Sequence, residues 1–219
     1  MRFPQKNVLF DFDGTLFDTS PGILRGIRYA LEKSGRAVGE DTELYKFIGP
    51  PLIPAFMQFC GMTEEQARAV KEVYRAYYTE KGVFECKLIE GAEKCLQTLR
   101  AAGCTLAIAT CKPLHFARQI LERYGFVKYF SAICGAESDA HAEKAEILSE
   151  ALSEIGFPDG ESCVMIGDRK YDILGAKTCG IPCIALDTGF AEEGEYQKAG
   201  ALCIVKNYEE LTKLLFSEN

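Results

Sequence analysis

The chain alternates short apolar runs with segments whose apolar residues recur every three or four positions. The apolar runs fall at 7–11, 105–109, 131–134, 163–167, 182–186 and 202–205, most of them bounded by Gly, Asp or Pro. They do not alternate polar with apolar residues, which is the pattern of strands covered on both faces in a parallel sheet. Helical periods lie between them. Ala92, Cys95, Leu96 and Leu99 form one stripe that stops near Gly103, and Phe116, Ile120 and Leu121 form another that stops at Gly125. Ala145, Leu148, Leu152 and Ile155 lead to Gly156, and Ile173, Ala176 and Lys177 lead to Gly180. Strand following helix in this way predicts a doubly wound, Rossmann-like α/β fold with a parallel sheet.

One stretch departs from the alternation. Between 17 and 83 the pattern is helical, with no convincing strand. One helix is expected around 23–31 and ends at Gly35, and a short one over 44–48 is stopped by Gly49-Pro50-Pro51. Two more are expected over 52–60 and 63–80. Thr63 and Gln66 have the spacing of a capping box, with the hydroxyl at the N-cap and the amide three residues on. A helical block over 17–83 is thus expected to interrupt an α/β core made of 1–16 and 84–219. No internal repeat or low-complexity segment is present.

Composition narrows the function classes. Of 219 residues, 47% are hydrophobic and 26% charged, which is globular composition. The 25 basic residues against 32 acidic ones give a net charge of −7, which argues against nucleic-acid binding through a general basic surface. A local basic pocket for one small anion remains open. No run approaches the ~20 apolar residues needed to span a bilayer. The first residues flow directly into an apolar strand without a leader pattern, so a cytoplasmic location without membrane attachment is expected. Oligomeric state has no signature. Ten cysteines contain no Cys-x-x-Cys pair and only two histidines accompany them, so reduced, mostly buried thiols are expected rather than a zinc site.

The residues that suggest chemistry cluster at strand ends. The first strand closes on Asp11-Phe12-Asp13-Gly14-Thr15. Residues two apart on a strand share a side, so two carboxylates converge at a carboxyl end, where open α/β sheets bind ligands. Gly14 allows a sharp exit and a close backbone approach. Repelling carboxylates call for a cation, and an all-oxygen donor set suits Mg²⁺. A solvated Asp-Gly turn is the plainer alternative. The second strand closes on Ala109-Thr110-Cys111-Lys112-Pro113, where a hydroxyl and backbone N–H groups could hold a phosphate oxygen, or Thr110 could simply cap a helix. Cys111 would sit beside this site and offer its backbone N–H. Lys144, in His141-Ala142-Glu143-Lys144, opens the third helix, where a cation opposes the helix dipole unless an anion accompanies it. Otherwise it is a surface lysine. The fourth strand closes on Gly167-Asp168, with Asp172 one turn further on, giving a second carboxylate pair or a helix cap.

In order and position these segments resemble the motifs of the haloacid dehalogenase superfamily, over the whole chain. Asp11-Phe12-Asp13-Gly14-Thr15-Leu16 looks like its first motif, Thr110 its second, Lys144 its third and Gly167-Asp168-Arg169-Lys170-Tyr171-Asp172 its fourth. The helical block looks like the family's mobile cap of the first type. Phe47-Ile48-Gly49-Pro50-Pro51-Leu52 and Ala109-Thr110-Cys111-Lys112-Pro113 are similar to the branch of phosphoglycolate phosphatases and bacterial 5′-nucleotidases.

The resemblance implies a Mg²⁺-dependent phosphatase acting on a small phosphorylated metabolite through an aspartyl-phosphate. Asp11 would be the nucleophile and Asp13 the general acid and then base. Asp11, the main-chain carbonyl of Asp13, and Asp168 would hold Mg²⁺, with Asp172 orienting them. Thr110 and Lys144 would bind the phosphoryl oxygens. Gly14, Cys111 and Lys112 in the core, and Lys46, Gly49 and Pro50 in the cap, are the candidate substrate contacts. Dehalogenases of the superfamily lack the second carboxylate of the first motif, so Asp13 argues against carbon–halogen cleavage. Lys144 is followed by Ala145-Glu146, where many phosphoglycolate phosphatases have Lys-Pro, which leaves the ester open. A sugar-phosphate mutase of the β-phosphoglucomutase type is an alternative, but Arg25, Arg28 and Lys46 are scattered and form no second phosphate site. A receiver-like signalling module would carry its acceptor Asp on a later strand.

Overall fold

The computed structural model describes residues 6–48, 51–137, 143–157, 160 and 162–216. The chain opens with β1 (Asn7–Phe10) and, after a tight turn, the two-residue β2 (Phe17–Asp18). It then passes through α1 (Ser20–Lys33), α2 (Asp41–Leu44), a 3₁₀ turn at Tyr45–Phe47, α3 (Leu52–Cys60) and α4 (Glu64–Glu80). A 3₁₀ turn at Gly82–Phe84 leads back through β3 (Lys87–Leu88). The remainder alternates: α5 (Ala92–Ala101), β4 (Thr105–Pro113), α6 (Leu114–Tyr124), β5 (Ala132–Ala136), α7 (Lys144–Glu154), β6 (Cys163–Gly167) and α8 (Lys170–Thr178). It ends with β7 (Cys183–Leu186), α9 (Glu195–Ala199), β8 (Cys203–Val205) and α10 (Tyr208–Phe216). Two compact units result, one of Met1–Phe17 with Leu88–Asn219 and one of Asp18–Lys87.

In the first unit six parallel strands lie in the order β5-β4-β1-β6-β7-β8. β1 is central, with Phe10 level with Ile108 of β4 on one side and Ile166 of β6 on the other. The chain builds outward from β1 through β4 to β5, then crosses back to β6. Strand order therefore reverses beside β1, and the crevice at such a reversal is where doubly wound sheets bind ligands. Every residue of β1, β6 and β7 is buried, which explains why these runs read as continuously apolar. Leu9, Ala107, Met165 and Ala185 share one core with Leu148 and Leu152 of α7 and with Ile173 and Ala176 of α8. Each fully buried Leu or Ile side chain there contributes about 1.5–3 kcal/mol of transfer free energy.

The second unit is helical. α1 packs on α4, burying Leu24, Ile27, Ala30 and Leu31 on one helix and Val70, Tyr74 and Tyr78 on the other. A Cβ on Gly26 would come within 2.8 Å of the Tyr74 ring, so the crossing requires glycine there. The Thr63–Gln66 capping box forms in both directions, at 3.3 and 3.1 Å.

The structure departs from the sequence-based expectation at element ends and in the shortest elements. β1 stops at Phe10 rather than residue 11, although the Asp11 N–H still donates to Ile166 O at 2.9 Å. β4 runs on to Pro113 instead of stopping at 109, with its register shifting after Thr110. β2 and β3 pair in a separate two-stranded sheet, so the stretch from 17 onward is not free of strand. Two residues carry no period, and nothing in the sequence pattern could reveal them. α9 and α10 lie in stretches where the sequence pattern predicts no helix; α10 buries Tyr208 and Leu211. All ten cysteines are free; six are buried, Cys60, Cys179 and Cys203 partly so, and Cys111 is exposed. Among the described residues no helix is long and apolar enough to cross a membrane.

Candidate active site

The carboxyl ends of β1, β4 and β6, with the first residue of α7, converge on one cluster of charged groups. β1 and β6 are hydrogen-bonded neighbours, so the chain after Phe10 and the chain after Gly167 leave the sheet side by side. Asp11, Asp168 and Asp172 each bring a carboxylate oxygen within 4.8 Å of the others, all three buried. Lys144 enters from the start of α7 and places its Nζ 2.5 Å from Asp11 Oδ1 and 2.8 Å from Asp172 Oδ1. A third bond, 3.0 Å to Ala109 O, ties the same ammonium to the end of β4. A lysine that opens a helix against the dipole is thus compensated by two carboxylates of the protein itself.

Three glycines make this crowding possible. A Cβ on Gly14 would stand 2.2 Å from Asp168 Oδ2, one on Gly167 would stand 2.3 Å from Asp172, and one on Gly175 would stand 2.6 Å from Lys144 Cγ. Gly14 also has φ +79°, the left-handed region that side-chain-bearing residues rarely adopt. Hydrogen bonds hold the turn after β1 in place. Thr15 Oγ1 donates to Asp168 Oδ1 at 2.9 Å, Thr188 Oγ1 donates to Gly14 O at 2.7 Å, and the buried Tyr208 hydroxyl donates to Thr15 O at 2.7 Å.

Asp13 lies apart from the three-carboxylate cluster. Its side chain, 27% exposed, accepts from Lys112 Nζ at 2.9 and 3.3 Å, while the Lys112 side chain is 4% exposed. Successive side chains of β4 alternate in direction, so Lys112 turns inward with Thr110 while Cys111 between them faces out. Thr110 is buried, and its Oγ1 accepts from the Lys112 N–H at 3.2 Å.

The electrostatics follow from burial and charge count. Burial pushes Asp11 up from 3.8 to about 6, with Lys144 opposing and Asp172 adding to the rise. Burial, then the neighbouring Asp172 and Asp11, push Asp168 well above the usual carboxylate range against the Thr15 hydrogen bond. Burial alone would lower the Lys144 ammonium, but the Asp11 and Asp172 charges outweigh it and hold its pKa well above the ordinary lysine value. Although the residue as a whole is exposed, desolvation of the Cys111 thiol beside the cluster pushes it up to about 11, so a reactive thiolate is not favoured there. Three carboxylates facing one ammonium leave negative charge uncompensated when all are ionised. A divalent cation with a preference for oxygen donors relieves that excess, so the donor set fits Mg²⁺.

The structure therefore brings together Asp11, Asp168, Asp172 and Lys144. It sets Asp13 with Lys112 beside the same strand ends and puts Thr110 at the bulge. Asp172, expected to stand behind the metal ligands and orient them, lies within the carboxylate cluster itself. Lys46 belongs to the helical unit, where its Nζ lies 5.1 Å from the centre of the Phe59 ring. Gly49 and Pro50 lie outside the described residues. Sequence reasoning passed over Thr15, although it stands inside the first motif, and gave no part to Thr188, Tyr208, Arg169 or Glu195. Arg169 stands inside the fourth motif, whereas Thr188, Tyr208 and Glu195 reach the site through tertiary contacts that have no signature in local spacing.

Comparison with known proteins places this geometry in a family. Residues 8–186 match the haloacid dehalogenase-like hydrolases. A 5′-nucleotidase of Pseudomonas aeruginosa is 39% identical over 196 residues, covering 89% of this chain and 87% of that protein. Tyrosine-protein kinase PtkA of Mycobacterium tuberculosis is 36% identical over 184 residues, covering 84% of this chain; the match spans 62% of PtkA. The crystal structure of a predicted phosphatase from Clostridium acetobutylicum superposes with a TM-score of 0.88 at 37% identity, covering 96% of this chain and 98% of that one. The strand order, the carboxyl-end cluster and these matches agree: the chain belongs to the haloacid dehalogenase-like hydrolases and is a phosphatase.

Proposed function

We propose that this phosphatase is a Mg²⁺-dependent phosphomonoester hydrolase that works through an aspartyl-phosphate on Asp11, with a nucleoside monophosphate or phosphoglycolate as substrate. The observation that carries the reading is the buried cluster of Asp11, Asp168 and Asp172, with Lys144 paired to Asp11 and Asp172. Asp11, the main-chain carbonyl of Asp13, and Asp168 would hold the metal. When bound, Mg²⁺ supplies positive charge against the phosphoryl oxygens and keeps Asp11 ionised. Lys144 holds Asp11 through Oδ1 and offsets charge that develops on the phosphoryl group, with Thr110 binding a phosphoryl oxygen. Asp11 attacks phosphorus, and the departing alkoxide takes the proton of the Asp13 carboxyl. Asp13 then takes a proton from water, which attacks phosphorus and releases phosphate and the Asp11 carboxylate. Lys112, bonded to Asp13, fixes where that proton donor and acceptor stands. Groups around Asp11 address the phosphoryl end, so the leaving group needs other readers, and Lys46, Gly49 and Pro50 are the proposed ones.

The likeness to the 5′-nucleotidase supports nucleoside monophosphates as the first class to test. A panel of phosphomonoesters, scored by kcat/KM with Mg²⁺ and with excess chelator, decides. The reading expects phosphate release from one ester class that chelation abolishes and Mg²⁺ restores. Full activity in chelator contradicts the metal assignment. The likeness to PtkA favours a second reading, transfer of the phosphoryl group to a tyrosine hydroxyl. Phosphate retained on an added protein instead of released would select it.

A further inference from the structure

The segment of residues 168–172 places two buried carboxylates beside Asp11, so it brings like charges together and has to be held in place. Part of the restraint is internal: the Arg169 N–H donates to Asp172 Oδ2 at 3.1 Å. The rest comes from Glu195, at the start of α9, 23 residues past Asp172 in a segment without a motif. The residue is 5% exposed and both carboxylate oxygens are engaged. Oε1 accepts from Arg169 Nε at 2.9 Å and from the Lys170 N–H at 2.8 Å. Oε2 accepts from Arg169 Nη2 and from the Glu192 N–H, both at 3.3 Å. The fork of the guanidinium meets the carboxylate edge to edge, which fixes angle as well as distance.

The same carboxylate does a second job. α8 begins at Lys170, and its N-cap residue, Arg169, makes no side-chain cap hydrogen bond. The first N–H of the helix is instead satisfied by Glu195, a cap supplied from another element. α8 carries Asp172 in its first turn. One side chain therefore pins the residue after Asp168 and the helical turn that presents Asp172.

We propose that Glu195 is a positioning residue for the metal-binding cluster, acting through Arg169 and the first turn of α8 to hold Asp168 where it would meet Mg²⁺ and Asp172 behind it. The inference rests on the proposed metal reading. Supporting groups behind metal ligands typically change metal affinity by about 10- to 100-fold, and a group one bond further back belongs at the lower end. Glu195→Gln keeps the shape and removes the charge that the fork needs.

The test measures Mg²⁺ binding to wild type and Glu195→Gln by calorimetry, without substrate, and then kcat and KM at rising Mg²⁺. Leu211→Val, a buried substitution in α10, serves as a stability control. The inference expects Mg²⁺ affinity about tenfold weaker in Glu195→Gln, activity restored at high Mg²⁺, and substrate KM nearly unchanged at saturating metal. Glu195→Asp should recover part of the affinity, and Leu211→Val should bind Mg²⁺ as wild type does. Wild-type Mg²⁺ affinity in Glu195→Gln, with only its melting temperature lowered, overturns the inference and leaves the metal reading intact. If the wild type binds no Mg²⁺, the metal reading falls and takes this inference with it.

Discussion

Replacing Lys144 with methionine isolates the charge balance of the cluster. The ammonium makes ion pairs at 2.5 Å with Asp11 and 2.8 Å with Asp172. At the effective dielectric of about 20 that suits protein sites, each pair is worth about 6 kcal/mol before desolvation. Burying the ammonium takes back several kcal/mol, and breaking buried pairs of this kind costs about 3–5 kcal/mol net. Methionine retains much of the side-chain length, and Lys144 Cγ is packed against Gly175, so the loss is electrostatic rather than a cavity. The pH dependence has a definite sign. Asp11 titrates at about 6 in the folded protein against 3.8 as its ordinary value, so its ionisation costs stability above that window and the cost fades as pH falls through it. Without Lys144 Asp11 titrates higher still, and protonation relieves the variant more than the wild type. Urea unfolding in chelator should therefore show a deficit of about 3–5 kcal/mol at pH 8 that shrinks at pH 5.5. Phosphatase activity should fall by about 10²- to 10³-fold, as when a charge-stabilising donor is lost. A deficit below 1 kcal/mol, or one equal at both pH values, would refute the reasoning.

Gly14→Ala should be among the most damaging small substitutions, since its methyl group meets Asp168 Oδ2 at 2.2 Å and φ is +79°. Loss of Mg²⁺ binding together with a lower melting temperature checks it; an active, metal-binding Gly14→Ala would show that the turn adjusts freely. Mg²⁺ affinity itself should fall as pH drops below about 6, because the metal competes with the proton on Asp11, and proton release on binding measured in two buffers reads this directly. Lys46→Ala should reorder a panel of phosphate esters and leave hydrolysis of a small activated aryl phosphate almost unchanged. An unaltered ranking places leaving-group recognition elsewhere.

The sheet was legible because its strands are buried on both faces and so read as unbroken apolar runs, 163–167 in β6 matching to the residue. Helix ends were legible where a glycine takes the left-handed conformation, as Gly125 does after α6. What local pattern lacks is tertiary. β2 and β3 owe their strand character to each other and not to their own residues. The register shift of β4 after Thr110 depends on its pairing with β5. At the site, the residue types pointed to Asp11 and Asp168 at strand ends and to Lys144 at a helix start, because a carboxylate or lysine at such a position is locally conspicuous. Spacing also put Asp172 on the face of Asp168, but its direct pairing with Lys144 needed the helix geometry. Glu195 could not be found from sequence, since a glutamate in an acidic surface-like stretch gains meaning only from the arginine it meets.

The central claim is a covalent phosphoryl group on Asp11, and the most direct measurement traps it. Asp13→Asn removes the proton acceptor for the second step, which should slow turnover by about 10²- to 10⁴-fold. An aryl phosphate has a good leaving group, so the first step proceeds without the acid. Acid-quenched single-turnover reactions, followed by peptide mass spectrometry, should then show one equivalent of aryl alcohol released in a burst. The phosphoryl adduct should lie on the peptide at residue 11 and be absent from Asp11→Asn. A variant with no burst and no adduct at residue 11, or an adduct on another side chain while the wild type turns over, would contradict the account.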